Sequence, residues 1–155
     1  MQVADIFLLQ PDNPHHSNPP EGSRSEPEAR HSSKHRRVMV VDDEMLVAES
    51  LVEILRMEGF QAIAVSDGAA AVKWAEILEP DTIICDIAMP RMDGFAVAEQ
   101  IRELLPECRI ILFSGHAGMH RKLADAQAEG LEFEFLAKPV KPEIVLSMLR
   151  NPKLI

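Results

Sequence analysis

Between residues 38 and 151 the apolar positions follow two alternating rhythms. VMVV (38–41), QAIAV (61–65), DTIICD (81–86), RIILF (109–113) and LEFEFLA (131–137) are short β-rich runs. After each comes a longer segment that reads as a helix: 44–59, 68–80, 94–106, 118–130 and 141–151. In the first helix Val47, Leu51, Ile54 and Leu55 share one face, and Gly59 ends it. Pro80, Pro106 and Gly130 close the next three. The fourth is mostly polar. The first, third and fourth strands are apolar almost throughout, as strands covered on both faces are. Five βα units with such strands predict an α/β fold, a parallel sheet with helices on both sides. No internal repeat stands out.

Residues 10–35 break the pattern. They are rich in Pro, Ser, His, Asn and Glu, with hardly an apolar side chain. Such a stretch buries too little to offset its ordering entropy, so residues 1–35 are expected to form a disordered tail. His15–His16 read as part of that solvated tail rather than as metal ligands. The apolar cluster at 6–9 is too short for a signal-peptide core and lacks a basic flank. The globular region is expected over 36–151. Residues 152–155 are too few for an output domain such as a helix-turn-helix.

The chain has 155 residues and a formal net charge of −9, with 46% hydrophobic residues. Five acids and five bases balance within residues 1–37, so the whole −9 falls on 38–155. A domain this acidic suits cations and basic partners, and direct nucleic-acid binding is not expected of it. No stretch is long enough to span a membrane, and a cytoplasmic location is expected. Cys85 and Cys108 lie in or beside apolar runs and read as small buried hydrophobes, without zinc or disulfide spacing. Met39, Met45, Met57, Met89, Met92, Met119 and Met148 read as packing, Trp74 as half-buried, and His116 and His120 as surface residues.

In a parallel α/β sheet, ligands bind outside the carboxyl ends of the strands. Asp42 and Asp43 follow the first strand, and Asp86 ends the third. Ser114 follows the fourth, and Lys138 and Pro139 the fifth. Ser66-Asp67-Gly68 after the second strand is an ordinary turn and helix start. An unpaired carboxylate costs several kcal/mol to bury. Asp86 is therefore expected at an exposed strand end, met by a cation. Clustered carboxylates repel unless a divalent ion relieves them, and a small set of oxygen ligands favours Mg²⁺. Lys138 can pair with a carboxylate or a phosphoryl oxygen, and Ser114 can donate a hydrogen bond to one. An aspartate in that setting can attack a phosphoryl group and form an aspartyl phosphate. Asp42 and Asp43 could alternatively cap the first helix.

VMVVDDE (38–44), IICDIAMPRMDG (83–94), ILFSG (111–115) and FLAKP (135–139) together resemble the receiver domain of two-component response regulators. The likeness runs from Arg37 to Arg150. It implies a flavodoxin-like sheet of order 2-1-3-4-5 with Asp86 as phosphoacceptor. It implies Mg²⁺ held by Asp43, Asp86 and the main-chain carbonyl of Ala88, with Asp42 assisting. Ser114 would contact the phosphoryl group, and Lys138 would pair with both that group and Asp86. The Lys138–Pro139 peptide would be cis, and Pro90 and Gly94 would shape the loop after Asp86. Ser114 and Phe135 would form the switch that alters the surface of the fourth helix, fifth strand and fifth helix, where a phosphorylation-dependent dimer is an expected outcome. The resemblance further implies a histidine kinase or histidine phosphotransfer protein as donor and a downstream protein target. Ala88 and His116 are less standard positions, and Ala88 offers no side chain to orient an attacking water.

Two other functions fit parts of the pattern. A phosphate-independent receiver-like adaptor would be expected to have lost the acidic pair or the acceptor, and neither is lost. An aspartate-nucleophile phosphatase of the haloacid dehalogenase type needs a second Asp two residues after the first, where this chain has Ala88. A flavin reading of the same topology lacks a phosphate-cradling loop after the first strand.

Overall fold

In a computed structural model of the chain, residues 36–115, 119–130 and 133–151 are described. The expected tail (1–35), His116 and residues 131–132 and 152–155 lie outside them, as does the side chain of His120. Five strands alternate with five helices. The strands are β1 (Arg37–Val41), β2 (Gln61–Val65), β3 (Thr82–Asp86), β4 (Arg109–Ser114) and β5 (Glu134–Ala137). The helices are α1 (Met45–Met57), α2 (Gly68–Leu78), α3 (Gly94–Leu104), α4 (Met119–Ala128) and α5 (Pro142–Arg150). All strand pairs are parallel, in the order β2-β1-β3-β4-β5. This is the expected doubly wound fold, and the order reverses at β1.

Alternation along the strands splits the core into two layers. Met39, Val41, Ile83, Cys85, Ile110 and Leu112 face one side, against α2 and α3. Val38, Val40, Ile84, Ile111 and Phe113 face the other, against α1 and α5. Every residue of β3 is buried, as a central strand requires. Both cysteines are buried and free, and Trp74 is half-buried against the first layer. Two of the methionines read as packing are not: Met57 is 81% exposed and Met45 37%. Helical period assigns them to α1 but cannot tell its outer side from its inner one near the ends.

Local chemistry sets the boundaries. Asp67 caps α2 by accepting from the Ala70 amide at 2.9 Å, and Asp93 caps α3 through the Ala96 amide at the same distance. Gly59, at φ 91°, supplies the left-handed residue that ends α1. At the edge where β1 begins, arginines clasp the strands. Arg37 Nη1 donates to Leu78 O at 3.1 Å, and its amide donates to the Asp81 carboxylate at 2.9 Å. Arg109 makes a bidentate pair with Glu134, at 2.5 and 2.7 Å, and also donates to Met148 O.

Gly94 opens α3 directly under the β3–α3 loop. A Cβ there would lie 2.7 Å from the Ile87 Cα, a main-chain atom that cannot swing aside. Gly94→Ala is therefore expected to lower stability by about 1–3 kcal/mol, as overpacked sites do. Urea denaturation would read it, and an unchanged midpoint would mean that the loop has slack.

Candidate functional site

The carboxyl edge of the sheet gathers the residues singled out above. Asp42 and Asp43 follow β1, Asp86 ends β3, Ser114 ends β4, and Lys138 follows β5. Register brings them level, since Val41 pairs with Cys85, Asp86 with Phe113, and Ser114 with Ala137. Carboxylate oxygens of Asp42, Asp43 and Asp86 lie within 4.8 Å of one another. Lys138 Nζ lies 3.0 Å from Asp86 Oδ2 and 3.4 Å from Asp42 Oδ2. The Lys138 amide donates to Ser114 O at 2.8 Å, which ties the lysine's main chain to the end of β4. The Lys138–Pro139 peptide is cis.

Asp86 is not at an exposed strand end. It is 4% exposed and Asp42 2%, while Asp43 is exposed. The carboxylates survive burial because partners meet them. Asp86 Oδ1 accepts from the Ala88 amide at 3.2 Å and Oδ2 from Lys138. Asp42 Oδ1 accepts from the Glu44 amide at 2.9 Å. Among the described residues no buried side-chain polar atom lacks a partner. Neither Asp42 nor Asp43 caps α1, whose N-cap is Glu44 without a side-chain cap bond. Both side chains are thus left to the cluster.

Burial raises the Asp42 carboxyl above its ordinary value. The Glu44 amide and the Lys138 charge pull the other way, and Asp86 adds to the rise. Burial alone would lower Lys138, but its hydrogen bond to Asp86 and the charges of Asp86 and Asp42 prevail and raise it. Cys85 lies beside the site with its Sγ 3.4 Å from Asp86 O, and burial holds its thiol far above the ordinary range. Burial also pushes Cys108 up to about 12. Neither is a candidate thiolate nucleophile.

Three carboxylates and one ammonium leave two negative charges, which one divalent cation would balance. The donors are hard oxygens, and the exposed Asp43 leaves an open side for water, as Mg²⁺ requires. The residues therefore fit the ion.

Phe135 is half-buried on β5, its ring 6.2 Å from that of Phe95 at 47°. Sequence reading did not single out Phe95. Its place as the second residue of α3 gives no local signal, because the contact joins elements 40 residues apart.

An acid cluster beside a lysine thus lies at the carboxyl edge of a five-stranded parallel sheet of doubly wound fold. The response regulator receiver domain family matches residues 38–150, and the chain belongs to that family. Over 116 residues it is 32% identical to the chemotaxis protein CheY of Bacillus subtilis, covering 74% of this chain and 95% of that one. It is 35% identical over 107 residues to the transcriptional regulatory protein PdtaR of Mycobacterium tuberculosis, covering 67% of this chain and 50% of PdtaR. The chain thus spans about half the length of that relative. Among solved structures, the chemotaxis protein CheY4 of Vibrio cholerae superposes with a TM-score of 0.66 at 26% identity, covering 75% of this chain and 97% of that one. Receiver domains of this family are signalling phosphoacceptors rather than dedicated enzymes, and they interact with histidine kinases or phosphotransfer proteins. No helix among the described residues is long and apolar enough to cross a membrane.

The raised Asp42 value fixes the sign of a pH effect. The folded protein binds that proton more tightly than the unfolded chain. Its contribution to stability is complete below the ordinary Asp value of 3.8 and is lost as pH rises through the raised value. At pH 7 without divalent ions, Asp42→Asn should therefore melt higher than wild type. Mg²⁺ at about 100 times its dissociation constant should stabilise wild type by about 2.7 kcal/mol, and the variant much less. Thermal melts in EDTA and in Mg²⁺ would check both, and a lower melting temperature for the variant in EDTA would mean that its pairing with Lys138 outweighs its burial.

Proposed function

We propose that this protein is a signalling receiver whose phosphoacceptor is Asp86. The single observation that carries the reading is the position of Asp86. It is a buried carboxylate at a strand end, 3.0 Å from Lys138 Nζ and grouped with two further carboxylates. A carboxylate oxygen of Asp86 attacks the phosphorus of a phosphohistidine on a histidine kinase or histidine phosphotransfer protein. The P–N bond breaks, its electron pair stays on the imidazole nitrogen, and a P–O bond forms. Lys138 counters charge on the phosphoryl oxygens, and the Ser114 hydroxyl donates to one of them. Asp43, Asp86 and the Ala88 carbonyl, with Asp42 assisting, would hold Mg²⁺, which when bound supplies charge neutralisation to the transferring group.

The aspartyl phosphate then alters the equilibrium between two arrangements of Ser114 and Phe135. The affected surface comprises α4, β5 and α5, and output passes through contact with a downstream protein or a second copy. The receiver acts in the cytoplasm. The carboxyl-edge cluster is complete, which favours this reading over a phosphate-independent adaptor.

Intact mass after incubation with acetyl phosphate and Mg²⁺ tests the assignment. Wild type should gain one phosphoryl group and Asp86→Asn none. Labelling of the variant would move the acceptor elsewhere, and no labelling of wild type, even by a protein donor, would favour the adaptor. The small side chain at Ala88 leaves an attacking water unoriented, so the aspartyl phosphate should be long-lived. Ala88→Asn should shorten its lifetime, and equal decay rates in the two proteins would count against that role.

A further inference from the structure

The apolar segment at the start of the chain has no part in the site, and the domain offers one place that suits it. A groove of about 730 Å³ runs between α1 and α5. Leu51, Ile54 and Val145 line its depth, and Leu46, Val47 and Val140 its rim. Leu46 is 81% exposed and Val47 47%, so the rim is open apolar surface on an acidic domain. Lys138 and Gly115 line its upper end, so the groove and the acid site share a wall.

We propose that residues 3–9, VADIFLL, dock in this groove of their own domain. Two observations favour this occupant. The first is composition. Val3, Ile6, Phe7, Leu8 and Leu9 stand ahead of 26 residues with hardly an apolar side chain, so they are the one local apolar ligand carried by that part of the chain. The second is reach. The described chain begins at Arg36, which donates to Gly59 O at 3.5 Å, at the C-terminal end of α1. The groove lies toward the other end of that helix, whose 13 residues span about 20 Å. The intervening 26 residues can bridge at most roughly 85–95 Å, which is more than that distance. A tether that spans its sites makes the binding intramolecular.

The docking does not depend on phosphoryl chemistry.

Paramagnetic broadening tests the docking in the full chain. Both native thiols are buried, so a nitroxide will label an introduced Gln10→Cys selectively. The amide signals of Val47, Leu51, Val140 and Val145 should be lost, while that of Ile77 on α2 persists. Ile6→Asp with Leu9→Asp should restore them, as should Leu46→Glu, a change at an exposed position that leaves the fold intact. Uniform broadening, or broadening centred on another face, would overturn the proposal. So would loss of the same signals in isotope-labelled protein mixed with unlabelled spin-labelled protein, because the segment would then come from a second copy. Failure of acetyl phosphate to label Asp86 would leave this result untouched.

Discussion

The pairing of Lys138 with two buried carboxylates is the constraint on which the site depends. Asp86 and Asp42 end adjacent strands, and burial disfavours charge on both. One ammonium, 3.0 and 3.4 Å from them, offsets part of that penalty. Removing the lysine would leave both carboxylates bare, the kind of loss that in a buried pair typically costs about 3–5 kcal/mol. The residual negative charge gives the cluster its appetite for a divalent cation. The same lysine thus supports the resting fold and remains available to any anionic group that approaches Asp86.

The sheet exists to hold those charges level. Parallel register sets the ends of β1, β3, β4 and β5 side by side, and the two apolar layers fix it, since a slip of one residue would send every strand side chain into the opposite layer, whose packing it does not match. Main-chain contacts refine the edge. The Ala88 and Glu44 amides each satisfy one carboxylate oxygen. The Lys138 amide is bound to Ser114 O, so the hydroxyl-bearing strand end and the lysine move together.

Much of this was legible in the chain. Alternating rhythms located all ten elements to within a few residues, because Gly59, Pro80, Pro106 and Gly130 mark where helices stop. Asp42, Asp43, Asp86, Ser114 and Lys138 could be picked out because parallel topology sends every strand end to one edge. What the sequence left open depended on distant partners. It foresaw a cation meeting Asp86 but suggested an exposed strand end, whereas Lys138, 52 positions later, lies close enough to make burial tolerable. It could not pair Phe135 with Phe95, nor Arg109 with Glu134, since nothing local marks contacts across 40 or 25 residues. The outward turn of Met57 at the end of α1 was likewise hidden, because an apolar side chain at a helix end carries no mark of which way it points.

The arginine clasps at the other edge have an architectural consequence. Arg37 secures the entry of the chain through Leu78 O and Asp81, and Arg109 secures its exit through Met148 O and Asn151 O. Entry and exit therefore sit together on the side of the sheet away from the clustered carboxylates. The domain behaves like a plug whose wires leave by the back. Sequence can be grafted, lengthened or exchanged at either junction while the working face keeps its shape, so its chemistry and its attachments are free to diverge separately.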